Sequence, residues 1–160
     1  IEAGVNVSEF SYPNSFSTTL QAVVKWKPYA GKHWSFFTGD HVFFPVYHRS
    51  YNVGNYLYGE FAYQFTRGAR IGFGAYHFTP HVVALGERAG GQFSVEDPLN
   101  QRLTLAADWF TGNHALGYFT PGLEYKLTPR ITLYPAYEIG NSGLSRGNHV
   151  LLMEIGWNVN

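Results

Sequence analysis

Apolar and polar residues alternate along ten stretches of this 160-residue chain. The stretch 131–140 shows the pattern best. Ile131, Leu133, Pro135, Tyr137 and Ile139 share one parity, and Thr132, Tyr134, Ala136, Glu138 and Gly140 share the other. A period of two is that of a strand with one apolar and one polar side. The pattern predicts strands at 1–10, 17–27, 34–44, 56–66, 70–79, 89–97, 102–111, 118–127, 131–140 and 150–159. Clean apolar faces are Leu20, Ala22, Val24 and Trp26; Leu57, Gly59, Phe61, Tyr63 and Phe65; and Leu103, Leu105, Ala107 and Trp109. Two more follow at Phe119, Pro121, Leu123, Tyr125 and Leu127, and at Leu151, Met153, Ile155, Trp157 and Val159. In 34–44, Phe36, Phe37, Phe43 and Phe44 fall on both parities, which predicts a bulge or a break there, and 70–79 is similarly blurred.

The connections fall into two sets that alternate along the chain. Those at 28–33, 67–69, 98–101 and 128–129 are mostly short, with Pro or Gly at the bend; those at 11–16, 45–55, 80–88, 112–117 and 141–149 are mostly longer. In an up-and-down barrel alternate connections share an end, so one end carries tight turns and the other larger loops, with both termini at the short-turn end. Most stretches run about 9–11 residues, the length of a tilted strand that crosses a bilayer, against about 5–6 for a typical strand in a soluble protein.

Aromatic positions give a second test. With the strands laid antiparallel, Trp26, Trp34, Phe65, Tyr125 and Trp157 gather at the short-turn level. Phe43, Phe78, Trp109, Phe119 and Tyr137 gather toward the long loops. Strand ends that merely collect aromatics are the bland alternative. Two belts flanking an aliphatic band are what amphipathic rings form at two lipid–water interfaces. Composition agrees: aromatics are 18% of residues, and charged residues are 14%, against about 25% in typical soluble domains. A soluble barrel around an apolar ligand would need a more highly charged outer face.

The last strand, Leu-Leu-Met-Glu-Ile-Gly-Trp-Asn-Val at 151–159, has apolar residues at every second position and an aromatic near its end. With the strand lengths, loop alternation and belts, it resembles the bacterial outer-membrane β-barrel proteins over the whole chain. It departs from them at Asn160, where that class most often ends in Phe or Trp. The resemblance implies one transmembrane domain over 1–160 in the bacterial outer membrane. It would be an all-β, antiparallel, porin-like barrel of about ten strands, with short periplasmic turns, longer extracellular loops and an aromatic girdle. Its partners would be membrane lipid, ions or small solutes, and an envelope protein met through the long loops. The chain opens at Ile1 already in a strand-like pattern and reads as processed or trimmed.

The expected chemistry lies on the inward parity. Candidate lumen-lining residues are Lys25, Glu60, Arg102, Asp108, Glu124, Lys126, Glu138 and Glu154, with Asp40 and Glu96 on the same parity. They make either a hydrogen-bonded plug that stiffens the barrel or a narrow path biased toward cations. Ten strands lie just above the ~8 at which side chains fill a barrel and below the ~16–18 of open porins. The expected lipid-interface aromatics are Trp26, Trp34, Trp109, Tyr137 and Trp157.

Other chemistry is poorly supported. Cysteine is absent and net charge is zero, which removes disulfides and thiolate metal sites and argues against nucleic acid. Seven His show no zinc spacing; a cluster of His81, His114 and His149 at the loop end is weaker than the reading of solvated histidines. Glu138-Ile-Gly-Asn-Ser-Gly143 is superficially similar to the His-x-Ser-Asn-x-Gly segment of outer-membrane lipid A deacylases. Glu138 stands where the base belongs and Gly140 where the nucleophile belongs. Asp40 with His41 is too thin a match to omptin-like proteases. The Gly- and Asn-rich 140–149 reads as a surface loop rather than a phosphate nest, and the apolar Val82, Val83, Ala84 and Leu85 give 80–88 a surface to fold over the mouth or contact a partner. The expectation is therefore a non-catalytic narrow channel or envelope scaffold without cofactor or metal. The alternatives are a barrel enzyme acting on lipid or peptide at its outer rim, and a soluble ligand-binding barrel.

Overall fold

The structure, a computed structural model, describes residues 1–12, 15–46 and 53–157, of which 6–12 and 15–18 are described by their backbone alone. Ten strands follow one another: β1 (Glu2–Tyr12), β2 (Ser15–Ala30), β3 (Trp34–Pro45), β4 (Gly54–Gln64), β5 (Arg70–Phe78), β6 (Ala89–Pro98), β7 (Leu103–Phe110), β8 (Tyr118–Lys126), β9 (Ile131–Gly140) and β10 (His149–Trp157). Each pairs antiparallel with its chain neighbours in a single up-and-down sheet, strongly curled into a half-barrel. Among the described residues there is no helix, and β1 and β10 are the two edges, unpaired with one another.

Short polar side chains close the tight turns. Asn100 Oδ1 accepts from the backbone N–H groups of Arg102 and Leu103 at 2.8 and 3.0 Å. Thr128 Oγ1 accepts from those of Arg130 and Ile131 at 3.2 and 3.0 Å. Such local acceptors set the chain's reversal. Gly68 takes φ 99° in the turn between β4 and β5, a backbone region that disfavours other residues.

The curl gives the two parities different surroundings. Leu57, Phe61, Ile71, Phe73, Phe93, Val95, Leu105, Phe119, Leu123 and Ile155 stand exposed on the convex face. The concave face holds the polar parity and the buried core. That core lies at the long-loop end, where Tyr56, Tyr76, Phe78 and Val83 pack together with Phe43, Tyr58, Val82, Phe110 and Leu116 around them. Val82 and Val83 thus bring the connection 79–88 over the concave mouth. Tyrosine rings also cover cross-strand glycines: Tyr58 lies where a Cβ on Gly39 would stand, Tyr76 does the same to Gly90, and Tyr134 crowds Gly156. A ring laid over a bare backbone recovers packing that glycine lacks and marks where the sheet bends.

Several expectations need correction. Asp40 lies on the convex parity, in register with Leu57, and is held there by Asn55 Nδ2 at 3.1 Å from both carboxylate oxygens. Phe78 faces the concave core and Phe43 packs against it, so neither belongs to the outer belt; Phe44 is the convex, exposed ring at that level. β3 pairs with β4 without a bulge, since its aromatics simply occupy both faces. The register shift falls in β2, between Trp26 and Tyr29. β1 and β2 approach to Tyr12 and Ser15, closer than the longer loop expected over 11–16. The middle of 45–55 and the end of 150–159 lie outside the described residues.

Replacing Gly39 with Ala should displace the Tyr58 ring and cost about 1–3 kcal/mol in urea unfolding. Gly4→Ala, where a Cβ meets nothing within 4 Å, should change stability by no more than about 0.5 kcal/mol. Equal midpoints for the two variants would remove the ring-over-glycine packing from the account.

Candidate functional site: the concave face and its rim

Glu60, only 7% exposed, is the centre of the concave face. Gln92 Nε2 donates to its Oε2 at 2.8 Å and Ser94 Oγ donates to its Oε1 at 2.9 Å. Tyr56 OH donates in turn to Gln92 Oε1 at 2.7 Å. Arg70 stands 3.8 Å from Glu60 and 3.0 Å from Glu96. The network joins β4, β5 and β6, and each buried polar atom in it has a partner, as a desolvated carboxylate requires. Gly72 makes the room: any Cβ there would run into the Glu60 carboxylate and Ser94 Oγ.

Beside this network the Phe37 ring, 3% exposed, has Lys25 Nζ at 4.5 Å and the Arg70 guanidinium at 5.1 Å from its centroid. Both lie within the reach of a cation–π contact. The two cations, with Lys27, Ser35, Ala62 and Gln64, line a cavity of about 240 Å³ at the short-turn end. Glu2 lines the same cavity, and the remaining acidic groups of the concave parity lie on β4 and on β6 to β10. Register places Asp108 opposite Ser94 and Thr120, Glu124 opposite Thr104, Glu138 opposite Val150 and Glu154 opposite Tyr134. All four share the concave parity on β7 to β10. Glu124 meets Lys126 at 3.7 Å, with the lysine more than half exposed, so that pair contributes little. Arg102 sits in the exposed turn before β7.

Of the expected lumen residues, then, only Glu124 and Lys126 touch one another. Glu60 is the buried hub, and the residues that satisfy it, Arg70, Gln92 and Ser94, with Tyr56 bonded to Gln92 behind them, were not among the candidates. Parity alone could have nominated Gln92 and Ser94, which alternate with Phe93 and Val95; the glycines of 70–79 and 89–97 hid it. Trp26, Trp34 and Trp157 at the short-turn end and Trp109 and Tyr137 at the other are all convex and at least 44% exposed.

At the long-loop end, three connections are tied together. Gly86 bridges to His114, Asn141 N–H donates to Gly117 O at 2.9 Å, and Ser145 Oγ donates to Gly117 O at 2.7 Å. His114 and Ser145 are fully buried. Leu116 N–H donates to His114 Nδ1 at 3.2 Å, so Nδ1 is unprotonated, and the proton on Nε2 faces the Tyr76 hydroxyl oxygen at 2.5 Å and Thr111 O at 3.0 Å. Burial holds its pKa below the ordinary 6.5, against the opposing pull of the Thr111 carbonyl and Glu87. Among the described residues no three His, Asp or Glu side chains converge as metal ligands. His149 instead stacks on Tyr137 at 5.7 Å, while His114 packs edge-on to Tyr76 and Phe78. Asp40 and His41 point to opposite faces of β3, with His41 against Tyr56 and Tyr58, so they form no pair at the rim.

Glu60→Ala strands the Gln92, Ser94 and Arg70 donors and should cost about 3 kcal/mol of unfolding free energy; a loss below about 1 kcal/mol would show that water replaces the carboxylate. His114 must stay neutral to accept from Leu116. Its stabilisation is therefore complete above pH 6.5 and is lost as pH falls from 6.5 toward the lowered folded-state value. Thermal melts from pH 7.5 to pH 4.5 should show a smaller acid loss in His114→Gln than in the parent chain.

No protein-family model and no curated protein sequence matches this chain.

Proposed function

We propose that this chain forms the wall of a bacterial outer-membrane β-barrel, with its convex face in lipid and its concave face as a braced, narrow interior. The observation that supports this reading is the division of the faces. Large apolar side chains stand exposed on the convex side of strand after strand, while Lys25, Glu60, Arg70, Glu96, Asp108 and Glu124 share the concave side. Water penalises a continuous apolar surface of that extent, and lipid does not. A soluble ligand-binding barrel needs the opposite arrangement. The convex Trp26, Trp34 and Trp157, with Trp109 and Tyr137 at the far end, suit two interfaces about a strand length apart.

Lipid also requires every backbone group to be paired. The edges β1 and β10 run in opposite directions, so joining them continues the antiparallel order. Within such a wall the Glu60 network and the aromatic core fill the side lined by β3 to β7. The remaining polar path follows Asp108, Glu124, Glu138 and Glu154, and carboxylates along a path favour cations. Large solutes are excluded.

Two measurements test the reading. The folded protein should fractionate with membranes, require detergent for extraction and migrate differently in gel electrophoresis before and after boiling. Release in aqueous buffer as a stable monomer would overturn the membrane assignment. In planar bilayers, conductance should be small and cation-selective, and the double variant Glu138→Gln, Glu154→Gln should lower that selectivity at least twofold at low salt, where screening is weak. Unchanged selectivity removes these two carboxylates from the path.

A further inference from the structure

We infer that the niche at the long-loop rim, between the connections 79–88, 111–117 and 141–148, is a saccharide-binding site. Glu87, Trp109, Gly112, Asn113, Asn141 and Ser142 line a depression of about 350 Å³. It is open rather than an enclosed cavity and lies at the mouth of the curled sheet, a place that small-molecule sites favour in barrels.

Its groups are held in place before any ligand arrives. Trp109 is 44% exposed, yet its ring is fixed. The indole Nε1–H donates to Asn141 Oδ1 at 3.0 Å, and the ring packs against Phe93 at 5.6 Å. Asn141 is itself anchored, its Nδ2 donating to Phe110 O at 2.7 Å. Glu87 and Asn113 bind each other twice: Glu87 N–H donates to Asn113 O at 3.0 Å, and Asn113 N–H donates to Glu87 Oε2 at 2.8 Å. Asn113 Oδ1 accepts from Leu144 N–H at 2.9 Å. Glu87 Oε1 and the Asn113 amide N–H groups are thereby left for a ligand. Gly112 and Gly143 hold φ 102° and 93°, and a side chain on Gly143 would strike Asn113. The fully buried His114 and Ser145 pin the same loops from beneath. A preorganised site loses little ordering entropy on binding.

The chemistry selects the ligand. No Lys or Arg lines the niche, so an anion has no partner there. One aromatic ring is too few for the cage that a quaternary ammonium requires. A sugar ring presents an apolar C–H face to an indole and, at its edge, hydroxyls to a carboxylate acceptor, an amide donor and the Ser142 hydroxyl. The inference does not rest on the membrane reading. In a barrel wall the niche would lie level with sugar headgroups of lipids, so the sugar is either free or lipid-borne.

The folded protein, in a detergent without a sugar headgroup, is titrated with glucose, galactose, mannose, glucosamine and N-acetylglucosamine. Saturation-transfer NMR and indole fluorescence report binding, with choline as a contrast. At least one sugar should bind saturably in the millimolar range. Trp109→Ala should weaken it at least tenfold, Ser142→Ala about threefold, and Trp109→Phe less than about threefold. If Trp109→Ala does not fold, Ser142→Ala and Glu87→Ala decide in its place. Vesicles carrying a glycosyl diacylglycerol, compared with the free methyl glycoside, separate the two sources; tighter binding to either supports the site. Absence of saturable binding by every sugar, binding indifferent to Trp109→Ala and Ser142→Ala, or tighter binding of choline would overturn the inference.

Discussion

A carboxylate removed from water must be answered by donors at fixed places, and Glu60 imposes that demand on the middle of this sheet. Gln92 and Ser94 answer it from β6, two strands away. They can reach it only because β5 lies between, with Gly74 in register with Glu60 and the carboxylate lying over the bare Gly72. The bond from Tyr56 to Gln92 carries the constraint upward into the aromatic core. The polar centre and the apolar plug are therefore one packed unit. Its energy lies less in any single bond than in the cost of leaving any one of them unmade.

The concave charges are not mixed evenly. Lys25, Lys27 and Arg70 cluster at the short-turn end of β2 and β5, while Asp108, Glu124, Glu138 and Glu154 belong to β7 through β10. Glu2, Glu60 and Glu96 stand beside those cations and Lys126 beside Glu124, so the separation is partial, and a net charge of zero conceals a weak transverse field across the concavity. At physiological salt a field between exposed groups is screened over about 8 Å, but the low-dielectric wall behind them slows that decay.

The sheet was legible in the sequence because a half-buried strand must alternate, and most of the ten stretches did so. Where both faces are packed, alternation stops being informative. β3 carries aromatic rings on either side, so parity there misplaced Asp40 and Phe43. The glycine-rich β5 and β6 offered too few side chains to show a face, and so concealed Arg70, Gln92 and Ser94. The rim was legible least of all. His114 and Ser145 look like ordinary loop residues, and their burial follows from the meeting of three connections distant in sequence.

Among the described residues, every strand of the sheet is hydrogen-bonded through its backbone only to its neighbours in the chain. The strands are joined mostly by a few residues, and closing a short loop costs little entropy. Assembly can therefore proceed as a succession of hairpins, each templated on the edge left by the one before. The exceptions are the side-chain contacts that skip strands, such as Glu60 to Gln92 and Ser94, Arg70 to Phe37 and Tyr56 to Phe110, and the knot of loops at the rim. These can close only after several hairpins are in place, and they act as latches that register a correctly stacked sheet.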